Sequence, residues 1–242
     1  MPDRFTKHTA AGAALYEAAG LRWLSAVTDG AAVVEVISAD EHEIVLPRVE
    51  SVRPSSEAAA EFGRRLAATH DAGAEAFGAP PEGWAGDGWI GTEPMTLAPR
   101  TSWGPFYAEQ RCRPFAERAY ARGGLDREGL AVVERVCTRI SEGTYDDDAP
   151  PARIHGDLWS GNVMVTAAGC LLIDPAAHGG HRISDLAMLA PSGLRTSRSP
   201  WLRTSGRQPG CRPAGGISSA STSSTRSSYT PPSSGPATEP RR

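Results

Sequence analysis

The feature that most constrains this chain is a pair of short apolar runs with a polar residue at each outer end. Residues 163–165 and 171–173 flank a four-residue link that ends in glycine, residues 166–169, and this pattern predicts a tight β-hairpin. Asn162 begins the first predicted strand and Asp174 ends the second. Because the two strands are antiparallel neighbours, we expect Asn162 and Asp174 to lie side by side.

A third polar group precedes the hairpin. Asp157 lies five residues before Asn162, in a loop with Gly156 and Gly161, where the backbone can turn back over the same point. An amide oxygen and the Asp174 carboxylate suit Mg²⁺, which binds through one or two carboxylates together with substrate phosphates. Asp157 is then free to accept a proton. The alternative is structural: Asp157 caps a turn, and Asn162 stabilises the loop by bonding to its backbone.

The same stretch resembles the catalytic loop of phosphotransferases. Protein kinases carry H-R-D-x-x-x-x-N followed by D-F-G, and here His155-Gly156-Asp157 is followed by four residues, Asn162, and later Asp174-Pro175-Ala176. The H-G-D form is similar to that of aminoglycoside and choline kinases. The Trp-Ser-Gly and Asp-Pro-Ala variants, with Gly-His-Arg and Asp-Leu-Ala-Met in residues 180–188, resemble the fructosamine kinase (ketosamine-3-kinase) family more narrowly.

The resemblance implies an α+β, protein-kinase-like fold of two lobes. Residues 1–50 would form part of the small β-rich lobe, with the hinge at its end, and residues 51–190 the mainly helical large lobe with the catalytic loop and metal hairpin. A kinase lysine normally follows a hairpin whose Gly-rich turn covers the phosphates. Six residues cannot contain that hairpin, so we expect an incomplete small lobe. The resemblance stops after Ala190, so we also expect a truncated large lobe.

Lys7 is the single lysine of the chain, and Asn162 is the single asparagine. Residues 5–8 predict the end of a strand, and residues 10–27 predict a helix that contains Glu17. The resemblance implies that Lys7 contacts the α- and β-phosphates of ATP and that Glu17 holds it in place. The alternatives are an incidental surface lysine and a glutamate that faces solvent.

Two β-branched runs, residues 32–37 and 43–46, predict an antiparallel hairpin. The chain then leaves the sheet over residues 47–54. In a kinase this exit is the hinge that binds adenine, and the resemblance assigns Leu46 and Val49 to the nucleotide site. An ordinary linker would have the same pattern.

Helices are predicted over residues 56–71, 103–122 and 125–143. Ser56 is the expected N-cap of the first, and Ser184 is the expected cap of a later helix. These helices would form most of the large lobe.

Four further polar residues have an expected place. His70 is predicted to pack or to cap a helix rather than to act in catalysis, and by resemblance Asp185 braces the backbone of the catalytic loop. Arg111 and Arg113 could face an anion, although solvated helix charges are the more ordinary interpretation.

Residues 78–102 are rich in Gly, Pro and Trp, which predicts either a functional loop or disorder. Trp84, Trp89 and Trp103 could contact a sugar ring. Residues 87–92 resemble the substrate-lobe loop of the family, but Met95-Thr96-Leu97 replaces the polar residues expected after it. The usual substrate contacts are therefore in doubt.

The composition changes at Pro191. Residues 191–242 contain eight arginines and one acid, Glu239, so they carry 8 − 1 = +7, and the rest of the chain carries −3 − 7 = −10. A Ser-, Pro- and Gly-rich segment of this kind is not expected to fold alone. It is interpreted as a disordered tail read after a frameshift; the alternative is a basic arm for RNA or acidic lipid.

The cysteines indicate the compartment. Cys112, Cys137, Cys170 and Cys211 are scattered and form no C-x-x-C pair, which predicts free thiols in a reducing cytoplasm. No apolar run approaches membrane-spanning length, and neither a membrane nor a nucleic acid is expected as a partner.

Taken with the resemblance, the sequence predicts a kinase that uses ATP and Mg²⁺ to phosphorylate a sugar hydroxyl. Asp157 would accept the proton, and Asn162 and Asp174 would hold Mg²⁺. The resemblance implies a ketosamine substrate, small or protein-bound, in protein deglycation. Other small-molecule kinases and an inactive kinase-fold fragment remain alternatives, because the residues alone do not select the acceptor.

Overall fold

Short strands and six α-helices make up the part of the chain that the computed structural model describes, residues 3–190. The helices are α1 Ala13–Ser25, α2 Ser56–Asp71, α3 Trp103–Tyr107, α4 Arg113–Ala121, α5 Arg127–Ser141 and α6 Arg182–Leu189. The strands are β1 Arg4–His8, β2 Ala32–Val33, β3 Ser38–Ala39, β4 Glu43–Pro47, β5 Gly88–Ile90, β6 Glu93–Met95, β7 Ala152–Ile154, β8 Val163–Thr166, β9 Gly169–Leu172 and β10 His178–Gly180.

The first sheet, in the order β1-β4-β3, carries the predicted lysine strand. Lys7 lies opposite Ile44 in the antiparallel β1–β4 pair. Helix α1 covers this sheet because its small and apolar residues recur on one face; the buried cluster between them contains Ala14, Ala18, Leu21, Val34, Ile44 and Leu46. This packing holds β1 and α1 together and so fixes Lys7 relative to Glu17.

The hairpin predicted for residues 32–37 and 43–46 is wrong in its first strand. β2 is only two residues long and pairs in parallel with β9. Both edges of β4 are already occupied, by β1 on one side and by β3 and the Ile37 N–H on the other. The earlier run is thus divided: its end, Ile37, bonds to β4, and β2 joins the neighbouring sheet, β2-β9-β8.

The hairpin after the catalytic loop is present, as β8 and β9. Val163 pairs with Leu172 at its open end, which brings Asn162 next to the residues that follow β9. The link is shorter than predicted, because Thr166 pairs with Gly169 and only two residues remain in the turn.

The helix ends differ from prediction by a few residues. Ser55, not Ser56, caps α2, because its side chain accepts a hydrogen bond from the Ala58 N–H. His181, not Ser184, caps α6 by accepting from the Ile183 N–H. The helix predicted over residues 103–122 is divided by a π-helical turn, Ala108–Cys112.

A second buried cluster joins α2 to the β8–β9 hairpin. It contains Phe62, Leu66, Leu158 and Leu172, with Leu186 and Leu189 of α6. Within residues 3–190, no helix is long and apolar enough to cross a membrane, and Cys112, Cys137 and Cys170 are free thiols. The predicted tail, residues 191–242, and Cys211 lie outside the described residues.

Candidate active site

Three charged side chains from distant parts of the chain meet at one point, and we call them the open cluster: Lys7, Glu17 and Asp174. The Lys7 Nζ donates to Glu17 Oε2 at 2.8 Å and to Asp174 Oδ1 at 3.1 Å. Glu17 is only 6% exposed, whereas the Lys7 and Asp174 side chains are 33% and 40% exposed. The cluster is therefore anchored on α1 and accessible at Asp174.

The electrostatics of the open cluster follow from its partial burial. Burial acts to lower the pKa of Lys7, but the neighbouring Glu17 and Asp174 carboxylates outweigh it, so that the pKa of Lys7 is raised. Burial also raises the pKa of Glu17, and the Lys7 cation opposes that shift. Lys7 consequently keeps its positive charge at the place where Asp174 is exposed.

Asn162 connects the catalytic loop to Asp174. Its amide nitrogen donates to the backbone oxygen and the Oδ2 of Asp157, at 2.8 and 3.1 Å, and to the backbone oxygen of Asp174 at 3.4 Å. These bonds use the nitrogen, so the amide oxygen is the atom that remains for a cation. Asp157, Asn162 and Asp174 are thus brought together as the sequence predicted.

His155 is a neutral imidazole that positions Asp157. Burial lowers its pKa, and its two ring nitrogens have different partners. Nδ1 accepts from the Asp157 N–H at 3.2 Å, and Nε2 lies 2.9 Å from the Ile173 oxygen, to which it donates. One imidazole therefore ties the catalytic loop to the residue before Asp174.

Asp185, His70 and His155 form what we call the buried cluster. Asp185 is 0% exposed; its Oδ2 accepts from the His155 N–H and faces His70 Nε2, each at 2.9 Å, and its Oδ1 accepts from the Gly156 N–H at 2.9 Å. Burial alone would raise the pKa of Asp185, but the hydrogen bond from His70 and the neighbouring groups lower it. The carboxylate braces the loop backbone, and His70 packs, as expected.

Gly156 shows why the H-G-D form needs its central glycine. Its φ is +82°, in the left-handed region, and a Cβ there would lie 2.1 Å from the Ala176 oxygen. The loop can therefore approach the chain after Asp174 only with glycine at this position. Asp174 itself adopts a left-handed φ of 53°, a conformation that aspartate tolerates better than most residues.

Asp157 faces a cavity of 220 Å³ that also contains the open cluster. Burial raises the pKa of Asp157, while His155 and the hydrogen bond from Asn162 act in the opposite direction. A raised pKa makes a carboxylate a better proton acceptor once it is ionised. Trp89 and Trp159 line the same cavity, so that aromatic surface adjoins the three polar groups.

A second cavity, of 250 Å³, adjoins the first at Asp174, which lines both. Leu46 and Val49, the residues assigned to the nucleotide from sequence, both line it. The remaining lining residues are mainly apolar: Phe5, Val34, Pro47, Arg48, Met164 and Ile173. If a ligand placed a flat apolar group in this cavity, a polar chain attached to that group could extend towards Asp174 and Lys7.

The donor set fits a hard cation. Within residues 3–190, no cluster of three or more His, Cys, Asp or Glu side chains forms a metal site. Mg²⁺ does not require one, because it binds through one or two carboxylates and takes other ligands from phosphates and water. The exposed Asp174 carboxylate and the Asn162 amide oxygen meet that requirement.

Sequence reasoning was incomplete for the aromatic residues. Of the three tryptophans considered for the sugar, only Trp89 lines the Asp157 cavity; Trp84 packs on Tyr16 at 5.5 Å and Trp103 stacks on Tyr107 at 4.8 Å. Trp159 was missed, although it is 48% exposed and lies two residues after Asp157. The position of Trp159 within the predicted catalytic loop was the signal in the sequence that could have identified it.

The family model described as fructosamine kinase matches residues 7–195. Among curated relatives, a ketosamine-3-kinase of Mus musculus is 36% identical over 38% of this chain and 29% of its own. A chloroplastic protein-ribulosamine 3-kinase of Arabidopsis thaliana is 29% identical over 57% of this chain and 41% of its own. The chain thus spans half or less of the length of these relatives.

Solved structures agree with the family model. A Thermobifida fusca protein assigned as a fructosamine-3-kinase superimposes with a TM-score of 0.73 and 43% identity, over 84% of this chain and 68% of that one. An aminoglycoside-3′-phosphotransferase of type VIII has a TM-score of 0.50 and 25% identity, over 85% and 78%. The α+β, protein-kinase-like fold expected from the sequence is confirmed, and the chain belongs to the fructosamine kinase family.

Proposed function

We propose that this protein is an ATP-dependent kinase that transfers the γ-phosphoryl group to a sugar hydroxyl of a ketosamine. Family membership supports the reaction class. The arrangement of Asp157, Asn162 and Asp174 around one cavity supports the chemistry. The relatives named for ketosamine and ribulosamine substrates support the acceptor, small or protein-bound. We propose protein deglycation in the cytoplasm as its setting, since free, scattered cysteines are typical of a reducing compartment.

The nucleotide would occupy the two adjoining cavities. Adenine would lie against Leu46 and Val49 in the apolar one, and the phosphates would extend past Asp174 to Lys7. Lys7 is suited to this role because Glu17 holds its ammonium group while leaving it partly exposed. Residues 1–50 would form part of the small lobe with the hinge at its end, and residues 51–190 the large lobe.

Asn162 and Asp174 would hold Mg²⁺ through one amide oxygen and one carboxylate. The ion, when bound, neutralises the charge on the β- and γ-phosphate oxygens. Asp174 would exchange its contact with the Lys7 ammonium for a contact with the cation.

Asp157 would orient the acceptor hydroxyl and take its proton. In the step, the hydroxyl oxygen bonds to the γ-phosphorus, the bond from the γ-phosphorus to the β–γ bridging oxygen breaks, and the proton passes to Asp157. His155 and Asn162 hold Asp157 in place, which is what phosphoryl transfer requires, because its catalysis rests on positioning and electrostatics. Trp89 and Trp159 would offer their rings to the apolar face of the sugar.

The single observation that carries the proposal is the convergence of Lys7, Glu17, Asp157, Asn162 and Asp174 on one cavity. The test is ADP release from ATP in the presence of Mg²⁺ and a ketosamine formed from glucose or ribose and a small amine. We expect turnover with the ketosamine and none with the parent amine. Asp157→Asn should lower it at least about 10²-fold, while Asp148→Asn, at an exposed carboxylate outside the cavity, should leave it unchanged. Equal turnover of the parent and Asp157→Asn would overturn the assignment.

A further inference from the structure

A cavity of 330 Å³ lies between α3, the start of α6 and the loop that follows α5, and it has no role in the proposed reaction. Three aromatic residues line it, Trp103, Tyr107 and Tyr145, and its polar groups include Asp147 and His181; the rest of the wall belongs to α6. It shares no lining residue with the cavities proposed for the nucleotide and the acceptor. The space is large enough for a small organic ligand.

The aromatic part of the wall is suited to a cation. The Trp103 and Tyr107 rings are stacked with their centres 4.8 Å apart, and Tyr145 is 50% exposed. The Arg139 guanidinium carbon lies 5.4 Å from the centre of the Tyr145 ring, so this ring already attracts one cation. Because a ring has two faces and half of the Tyr145 surface is exposed, the contact with Arg139 leaves room for a second.

Asp147 is the carboxylate of this cavity, and its side chain is 43% exposed. Its Oδ1 accepts from the Ala149 N–H at 3.0 Å, and His181 Nε2 lies 3.2 Å from Oδ1 and 3.3 Å from Oδ2. His181 Nδ1 accepts from the Ile183 N–H, so the imidazole is neutral and donates through Nε2. A carboxylate has about four acceptor positions. Asp147 therefore keeps acceptor capacity, chiefly on Oδ2, for a ligand in the cavity.

The negative charge of Asp147 also lacks a cationic side chain as its partner. Within residues 3–190, neither a lysine nor an arginine forms an ion pair with it, and its neighbours in the chain, Asp146 and Asp148, add negative charge. Glu134, by contrast, pairs with Arg113 at 3.0 Å. The cavity thus combines aromatic rings with an accessible carboxylate that can still take a cation.

We propose that this cavity binds a small organic amine as its primary ammonium ion, which donates to Asp147 while its carbon chain lies against the rings. A primary ammonium group has three N–H donors, which suits a carboxylate with free acceptor positions. Ile183, 41% exposed on the same wall, adds apolar surface for the chain. An anion is disfavoured because Asp147 and its acidic neighbours would repel it. The site does not depend on the proposed kinase reaction.

The test uses the full chain without nucleotide and two probes of equal length, hexylamine, which is an ammonium ion at neutral pH, and 1-hexanol. Titration calorimetry at constant ionic strength should show that hexylammonium binds at least about tenfold more tightly, as expected for a charge-assisted hydrogen bond together with ring contacts. Asp147→Asn keeps an acceptor for Ala149 and His181 but removes the charge, and should remove most of this preference. Asp148→Asn, at an exposed carboxylate outside the cavity wall, should retain it.

Two further variants keep the result decisive if Asp147→Asn fails to fold. Tyr145→Leu exchanges an exposed ring for an apolar side chain and should reduce the preference for hexylammonium by about threefold, the effect of one exposed cation–π contact. Ala187→Trp, which fills the cavity from α6, should weaken both probes. Equal binding of the two probes to the parent chain, binding of neither, a full preference in Asp147→Asn, or an equal loss in Asp148→Asn would each overturn the proposal.

Discussion

The buried and open clusters use the same kinds of side chain for opposite purposes. In the buried cluster, every described contact of the Asp185 carboxylate is to His70 or to the loop backbone at His155 and Gly156. In the open cluster, the Asp174 carboxylate is 40% exposed and accepts a hydrogen bond from the Lys7 ammonium group. The Asp185 carboxylate therefore stabilises the fold, whereas the Asp174 carboxylate can exchange its partner.

This difference indicates that one carboxylate of the site has a structural role and another is available for ligand exchange. When a buried carboxylate accepts several hydrogen bonds, moving it away would leave their donors unpaired, which costs free energy. A carboxylate at the edge of a cavity can exchange an ammonium group for a metal ion at little cost, because water screens the exchange. Asp157 lies between the two, since His155 links it to the buried cluster and Asn162 links it to Asp174.

The largest effect is expected on turnover, from Asp157→Asn. Loss of a positioned proton acceptor typically lowers the rate by about 10²- to 10⁴-fold, or roughly 3–5.5 kcal/mol in activation free energy. Stability should change little, because the amide keeps the shape of the side chain. Rates of ADP release and urea unfolding of the same preparation measure the two quantities. An unfolding change as large as the rate effect would show that Asp157 belongs with the buried cluster.

The next largest effect is on stability, from Asp185→Ala. Removing this carboxylate leaves His70 and two backbone N–H groups without their acceptor, which should lower the free energy of unfolding by roughly 3–5 kcal/mol. Asp174→Asn, which removes the exposed charge and keeps a side chain that tolerates the left-handed backbone, should change it by less than about 1 kcal/mol. Urea unfolding followed by tryptophan fluorescence measures both. Similar losses in the two variants would remove the distinction between the clusters.

A buried imidazole outside both clusters, His178, and the Glu17 carboxyl of the open cluster should respond to pH with opposite sign. The folded-state pKa of the buried imidazole His178 is lowered, to about 3, so the unfolded chain binds more protons and stability falls as the pH drops below about 6.5. The pKa of Glu17 is raised, so the folded chain binds more protons and stability rises as the pH falls through that raised pKa.

The contribution of each group to the pH dependence is measured as the difference in the free energy of unfolding between the parent and one variant. The parent should lose about 1 kcal/mol relative to His178→Asn between pH 6.5 and 5.5, because the unfolded imidazole goes from half to almost fully protonated over that interval. Relative to Glu17→Gln it should gain stability as the pH falls. Slopes of the same sign in urea unfolding at pH 7.5, 6.5 and 5.5 would contradict the assignment of the two environments.

The smallest effect comes from the start of α2, the helix that carries His70 near its end. Ser55→Ala removes the N-cap and should cost about 1 kcal/mol, and Ser56→Ala should cost less than about 0.5 kcal/mol. Circular dichroism during thermal unfolding compares the two. A larger loss of stability in Ser56→Ala than in Ser55→Ala would indicate that Ser56, the residue predicted from the sequence, is the N-cap.

The polar groups of the site were predictable because each lies in a pattern that is local in sequence. Asn162 and Asp174 flank one hairpin, and Asp157 lies five residues before it. Lys7 and Glu17 belong to adjacent elements whose packing follows from one apolar helix face. For Asn162 and Asp174, short-range periodicity was sufficient, whereas Lys7 and Glu17 were assigned to the site through the family resemblance.

The remaining features depend on competition between distant elements. Residues 32–37 looked like the partner of β4, but only Ile37 of this run bonds to β4, whose two edges pair with β1 and β3. Arg111 and Arg113 look equivalent in sequence, yet within residues 3–190 only Arg113 of the two pairs with a carboxylate. Predicting these pairings requires knowledge of which residues already pair with each strand edge or side chain. The local sequence pattern does not contain that information.

The most direct test of the account is nucleotide binding measured without turnover. Titration calorimetry with a non-hydrolysable ATP analogue and Mg²⁺ should give the same dissociation constant for Asp157→Asn as for the parent chain, because in the proposed reaction Asp157 contacts the acceptor and not the nucleotide. Asp174→Asn should weaken binding at least about tenfold, roughly 1.4 kcal/mol, and its residual affinity should no longer depend on Mg²⁺. Equal binding by all three proteins, or Mg²⁺ dependence that survives in Asp174→Asn, would contradict the claim that the open cluster is the metal-nucleotide site.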